Sequence, residues 1–421
     1  MRSLAGLFVF VAACATAATG VPSAPDEAPG PATTADGGVN EIAIDGGTDL
    51  RFVDTCELGA SSCPGSAAAE GTGLTAIDRC AFGLVESAGL GTTPALVTAL
   101  EAMTKAVTVS DVLGDANRIA TMSATIPGGP SPTYAMKWQA DDEASTAWIP
   151  QGITGTADAD VTGAKAVIVS FYDDPPDGEP NNGVRLAFVN LSDRSLPRYR
   201  FVLLVAPKAG PSFDPVKIHA GGLAWFGSYL YVADTSHGFR VFGLRHLMQV
   251  ATDEGTFGCV DGTCRAATYK YVLPQVVAYE VTSACAPIFS WVSLDRSSTP
   301  PSLVSGEYCS TTACAGPLAG RVFRWPLDPT TGRLRSATTF PNAAYLMAQK
   351  QVQGGAARND TFWFSSSAPA GGGGAIYRVK GAASNTAPWP DAPEDLMVDG
   401  SELWGITEAA GARFVFTAPQ P

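Results

Sequence analysis

The stretch whose reading decides the fold is His219–Phe242, HAGGLAWFGSYLYVADTSHGFRVF. Two glycines lead into a short apolar run, Gly-Ser joins it to YLYVAD, and Thr-Ser-His-Gly joins that to FRVF. Short runs of β-branched and aromatic residues punctuated by such turns read as a three-strand antiparallel meander.

The same order returns along the chain. Ahead of it stand PQGIT, KAVIVSFYDD and GVRLAFVNL; behind it come IFSWVSLDR, PSLVSGEY and GRVFRWPLD, then QGGAAR, DTFWFSSS and GAIYRVK, and last PEDLMV, SELWGITE and ARFVFTA. Taking Ile153, Leu223, Trp291, Ala356 and Leu396 as equivalent first-strand positions gives spacings of 70, 68, 65 and 40 residues. A sheet that is apolar on both faces cannot bury itself, and radial stacking about an axis satisfies both faces at once. The expectation is an all-β chain whose residues 116–421 form a five-bladed β-propeller. Its last unit stops near Ala418 after three strands, so a strand from before the first unit, RIATMSAT or PTYAMKW, should complete it. A sixth blade made from residues 115–147 is the alternative, and a β-sandwich is the rival architecture.

The bulk numbers agree with a turn-rich exported protein. The chain has 421 residues with 45 Gly and 31 Pro, and its formal charge of −13 leaves no basic surface for nucleic acid or anionic membrane. Residues 1–14 read as a signal peptide whose end, Val11-Ala12-Ala13-Cys14, is lipobox-like, with Cys14 the lipidated residue; cleavage near Ala18 by an ordinary signal peptidase is the alternative. Residues 15–40, rich in Ala, Pro, Gly, Thr and Asp, read as a flexible tether, and residues 41–115 as a small helical, disulfide-bonded lead-in with Leu96, Leu100 and Met103 on one helical face. A monomer outside the cytoplasm is expected, touching membrane only through its lipid.

Eight cysteines remain after Cys14. Spacing pairs Cys56 with Cys63, Cys259 with Cys264 and Cys309 with Cys314, leaving Cys80 and Cys285 to tie the lead-in to the body. A zinc site is the other reading of these cysteines, but no histidine lies near them.

In a propeller the inner strand begins, and the second strand ends, at one mouth of the channel. The first position collects Gln151, His219, Gln353, Glu394 and Asp395; the second collects Asp173, Asp174, Asp234, Glu307, Ser366 and Glu408. His219 with Asp234 and Glu394 could do acid/base chemistry, Gln151, Asp173, His237, Glu307, Gln353, Asp395 and Glu408 could line a ligand site, and the crowded acids suggest Ca2+ as the one cofactor. Trp148 and Trp389, just before blade starts, could stack on a sugar ring. Two functions follow: an anchored propeller binding a small ligand, glycan or cation at an acidic mouth, or an extracellular hydrolase or lyase using His219, Asp234 and Glu394. The residues can equally be structural, each acid bonding a turn or a neighbouring blade.

WIPQGIT, HAGGLAWFGSYLYVADTSHGFRVF, FSWVSLDRSSTPPSLVSGEY, and PEDL with LWGITE resemble a group of secreted, propeller-like bacterial proteins of actinobacterial type, over about residues 145–418. That resemblance implies export and a propeller body, and no particular reaction. More distantly the layout is similar to propellers of the lactonase and strictosidine-synthase type, which implies Ca2+ at the mouth, although the asparagines that type uses there are missing from this chain.

Overall fold

The computed structural model describes residues 43–44, 50–51, 55–59, 61, 63–64, 71–87, 94–159, 161, 165–253, 255–282, 285–309, 320–367 and 373–421. The chain divides into a unit of Met1–Thr55 and a unit of Cys56–Pro421. In the first, Ala43–Ile44 and Leu50–Arg51 pair antiparallel; Cys14, the tether of residues 15–40 and Cys314 lie outside the described residues.

The second unit is a β-propeller of five blades, each an antiparallel sheet of four principal strands. Their inner strands are Trp148–Gly155, Leu223–Phe226, Trp291–Asp295, Val352–Arg358 and Pro393–Asp399, and each holds one of the five positions that define the repeat. Neighbouring inner strands touch all the way round, from the first to the second and on to the fifth, which returns to the first.

Side-chain packing closes the same ring. Leu186 and Leu230 belong to the core between blades one and two, Phe239 and Phe323 to that between two and three. Val304 and Phe364 join three to four, Ile376 and Leu403 four to five, and Ile406 and Phe171 five to one. Five interfaces for five sheets is the signature of closure, because an open row of five sheets would have four. Glycines make room where blades meet most closely: a Cβ on Gly222 would lie 2.1 Å from the Val292 nitrogen, and one on Gly355 would lie 2.5 Å from Cη2 of the buried Trp291.

The fifth sheet is completed by Tyr134–Lys137, which pairs with Phe414–Pro419 and comes from PTYAMKW. Residues 115–147 therefore finish a blade and do not build a sixth. The short helix Ala140–Ala144 that follows acts as a latch. Asp142 accepts from Arg185 Nη2 at 3.1 Å and Tyr199 Oη at 2.6 Å in blade one, while Glu143 accepts from the Arg413 backbone at 3.0 Å in blade five. Arg185 is covered by aromatic faces, 3.7 Å from the Phe201 centroid and 4.3 Å from that of Trp148.

The lead-in departs from expectation. Among its described residues Pro94–Glu101 and Val109–Gly114 are the α-helices; Leu74–Ala76 and Leu84–Ser87 are strands that extend the third and second blades at their outer edges. Apolar residues at helical spacing there serve sheet edges instead, and on the helix Val97, not Leu96, is buried with Leu100. The outermost strands of blades one and two, Arg198–Lys208 and Tyr271–Val281, also pair in parallel through Leu203–Val205, which joins two blades in one sheet.

The disulfides correct two pairings. Cys56 bonds Cys80, and Cys63 bonds Cys285; Cys259–Cys264 is as expected. Cys309 is disulfide-bonded, its partner lying outside the described residues. Short spacing favours a local bridge only when nothing else brings sulfurs together, and here Cys80, between the two lead-in strands, and Cys285 of the body are the nearer partners.

Replacing Asp142 by Ala strands the buried Arg185 charge, so we expect a loss of about 3–5 kcal/mol in urea unfolding. A loss under about 1 kcal/mol would mean that the latch does not hold the ring.

Candidate functional site

Three inner strands are disrupted at one level. The register shifts between Val169 and Phe171 opposite Gln151–Gly152, between Val352 and Gly354, and between Pro393 and Leu396. A bulge re-aims the side chains it carries. Just upstream of inner strands, Ala220, Gln351 and Ala392 hold left-handed φ angles of 57°, 52° and 47°, which non-glycine residues adopt at a cost of order 1 kcal/mol. Bulges and strain therefore collect at the mouth where inner strands begin.

At this mouth the exposed His219 ring meets Tyr172 edge-on, with centroids 4.5 Å apart and planes at 90°. Although one edge reaches water, protein crowds the rest of the imidazole; burial disfavours the charged form and lowers its pKa to about 4, against the opposing pull of Asp174. The Tyr172 phenol is pushed up by burial and then by the negative charges of Asp174, Glu408 and Glu394. Gln151, Tyr172, Asp174, His219, Glu394 and Glu408 thus form one constellation.

Glu394 and Asp395 lie beneath it, 2 % and 0 % exposed. Burial, reinforced by Glu408 and Asp395, holds the Glu394 carboxyl well above the usual carboxylate range. Burial does the same to Asp395, opposed by the backbone amides that it accepts. Its Oδ2 accepts from Ile153 N at 3.1 Å and Leu223 N at 3.2 Å, whereas Asp395 Oδ1 and Glu394 Oε1 have no partner among the described residues. Glu408 is raised by burial and eased by Gln151, whose Nε2 donates to it at 2.9 Å. Further down, Asp158 is raised to about 7 by burial despite a 2.6 Å bond from the Thr154 hydroxyl. Burial and mutual repulsion thus push these floor carboxyls up, Asp158 to about 7, so they take up protons at higher pH than free acids do.

The other rim candidates are satisfied locally. Asp234 accepts from His237 Nδ1 at 2.9 Å and Arg240 Nε at 2.7 Å, so it does not orient His219 as expected; the carboxylate acting on His219 is Asp174. Glu307 takes Arg321 in a fork, at 2.8 and 2.6 Å, and caps Ile288 N at 2.9 Å. Asp173 caps Asn182 N at 2.6 Å and its side-chain amide at 2.9 Å, and the Ser366 hydroxyl donates to Lys350 O at 2.8 Å. Gln353 is half-buried at the bulge of the fourth inner strand. Trp389 is buried against Phe416, and Trp148 is capped by Arg185, so both rings are taken. Among the described residues no group of three or more His, Cys, Asp or Glu is disposed to hold a metal ion.

Tyr172 and Arg413 were missed. Arg413 is buried, donates Nε to Glu408 O at 2.7 Å and Nη1 to Asp142 O at 2.9 Å, and so ties the site to the latch. A tyrosine next to an acid at a second-strand end was the only signal available for Tyr172.

The raised carboxyls bind protons more tightly folded than unfolded, so stability falls as pH rises through each window, about 4 to 7 for Asp158. His219 runs the other way: the unfolded chain takes up a proton below about 6.5 that the fold refuses until about 4, so its contribution is lost as pH drops. Asp158→Asn should flatten the fall in Tm between about pH 4 and 7, and Glu394→Gln should flatten it above the ordinary carboxylate range. Curves parallel to the parent's would show that these groups ionise normally.

No protein-family model and no curated protein matches the chain. Solved structures similar to it include a GH43_1 enzyme from Xanthomonas citri, at 10 % identity and TM-score 0.30, covering 77 % of this chain and 93 % of that one. The GH43_1 enzyme of that organism complexed with xylotriose gives 10 %, 0.33, and the same 77 % and 93 % coverage. A subtype N11 neuraminidase-like protein of A/flat-faced bat/Peru/033/2010 (H18N11) gives 11 % identity, TM-score 0.29, and coverage of 72 % and 99 %. Overlaps this loose carry no inference about chemistry.

Proposed function

We propose that the chain is an exported, lipid-anchored propeller that binds a small, neutral, hydroxyl-rich ligand of glycan type at the channel mouth. The observation that carries this reading is the exposed, uncharged His219 set edge-on against Tyr172 among Asp174, Glu408 and the buried Glu394. A neutral imidazole both donates and accepts, a phenol does the same, and the acids beside them accept or, when protonated, donate. A hydroxyl-rich ligand matches such mixed polarity, and the apolar ring faces suit its C–H surfaces.

A second reading rests on the opposite displacements of His219 and Glu394. An imidazole with a lowered pKa beside a carboxyl with a raised one offers a base and an acid in one site, as hydrolysis needs. Ca2+ would enter either reading by displacing protons from the floor carboxyls.

Calorimetric titration with neutral oligosaccharides should give saturable binding, weakened about tenfold or more by His219→Ala or Glu408→Gln. Heat from Ca2+ alone, with a Ca2+-dependent rise in Tm and none from sugars, would replace the glycan with a cation. Turnover of aryl glycosides that His219→Gln abolishes would favour the enzyme. For the anchor, Cys14→Ser should move the protein from the membrane fraction to the medium or periplasm; unchanged fractionation would assign cleavage to the later site near Ala18.

A further inference from the structure

On the face opposite the mouth, where the inner hairpins of blades four and five turn, lies a groove of about 490 Å3. Arg358 ends the fourth inner strand, Asn359 starts its turn, and Ser401 comes from the turn of the fifth blade. Trp363 and Arg378 are cross-strand partners on the face of blade four that meets blade five, and Thr361 lies beside them. No Asp or Glu side chain lines the groove.

Four buried or half-buried arginines elsewhere are matched by carboxylates, Arg185 by Asp142, Arg240 by Asp234, Arg321 by Glu307 and Arg324 by Asp295, whereas buried Arg413 is held by backbone carbonyls. Arg358 gives Nη1 to Gly400 O at 2.5 Å, which fixes it at the lip, yet among the described residues neither it nor Arg378 has a carboxylate partner. Pro421 borders the groove without an ion pair to either arginine. Trp363 is only 4 % exposed, and its indole N–H has no partner among the described residues. Two guanidinium groups facing one cavity repel each other unless an anion is shared between them. Their planar forks fit the oxygens of a carboxylate, sulfate or phosphate in pairs.

We propose that this groove binds a small molecule carrying an oxyanion, held by Arg358 and Arg378, with Asn359, Thr361 and Ser401 bonding its polar body. The site is separate from the mouth, at the far end of the inner strands.

Titration of the full mature chain with glucuronate, glucose 6-phosphate and inorganic sulfate, with glucose as control, tests this. We expect saturable binding of the anions that weakens as salt rises, and none of glucose once the mouth is disabled by His219→Ala. Arg378→Gln should weaken the anions about tenfold or more, and the pair Arg358→Gln with Arg378→Gln should abolish binding. Arg378→Lys, which keeps charge but loses the fork, should fall between. Tighter glucuronate than sulfate assigns the site to sugar acids, and tighter glucose 6-phosphate assigns it to phosphate esters. The proposal fails if none of the three anions saturates, or if the double variant, with parental Tm, binds them as well as the parent.

Discussion

The ring depends on one carboxyl. Asp395 stands at the bulge of the fifth inner strand and offers one oxygen to the amides of Ile153 and Leu223, in the first and second inner strands. A buried amide without an acceptor costs roughly 1–3 kcal/mol, so Asp395 removes two such costs at once and fixes the spacing of three blades. The fourth blade must then present glycine: a Cβ on Gly354 would lie 2.3 Å from the Asp395 Cα. Burial raises the Asp395 pKa against the pull of the amides it accepts, and a proton on Oδ1 would leave Oδ2 to accept both. Ionised, the same residue would put an uncompensated charge in the middle of the propeller.

Closure at the outside uses different chemistry. Between blades five and one, Met397, Trp404 and Val415 meet Val169 and Val189 in an apolar seam. The latch adds direction to it, with Asp142 reaching into blade one and Glu143 into blade five. An apolar seam alone tolerates sliding, whereas bonds from adjacent acids to opposite sheets specify one register. Arg413 then carries the latch inward to Glu408 at the mouth, so ring closure and site geometry share a residue.

Strand order was legible in the sequence because period-two alternation and turn residues are local properties. All five inner strands and the origin of the closing strand follow from them. Partnerships were not legible, because they depend on where chains meet in space. Asp173, Asp234 and Glu307 occupy second-strand ends as Glu408 does, yet Asn182, Arg240 and Arg321 arrive to neutralise or cap them. Glu408 receives an amide instead, and Glu394 keeps an oxygen unpaired. Position in the repeat told where an acid would lie; its neighbours decide whether it serves the fold or a ligand. The disulfides failed for the same reason, since the chain brings Cys56 to Cys80 and Cys63 to Cys285, partners that spacing does not reveal.

Why the mouth should carry function follows from where the fold tolerates strain. Left-handed Ala220, Gln351 and Ala392 and the three bulges persist only because surrounding bonds over-determine them. Those bonds include the Asp395 bridge, the Ser170 hydroxyl that accepts from Gly152 N and donates to Ala220 O, the Gln151–Glu408 contact, and the bonds from Gln351 N to Cys309 O and from Glu408 N to Ala392 O. A chain that needed only five stacked sheets would be more stable with regular strands at these positions. The irregularity instead turns Gln151, Glu394 and Asp395 toward the channel and leaves His219 at its lip beside Tyr172. Because one network bonds both the blades and these side chains, a ligand bound at the proposed site would meet groups already held in place, which lowers the entropy cost of binding.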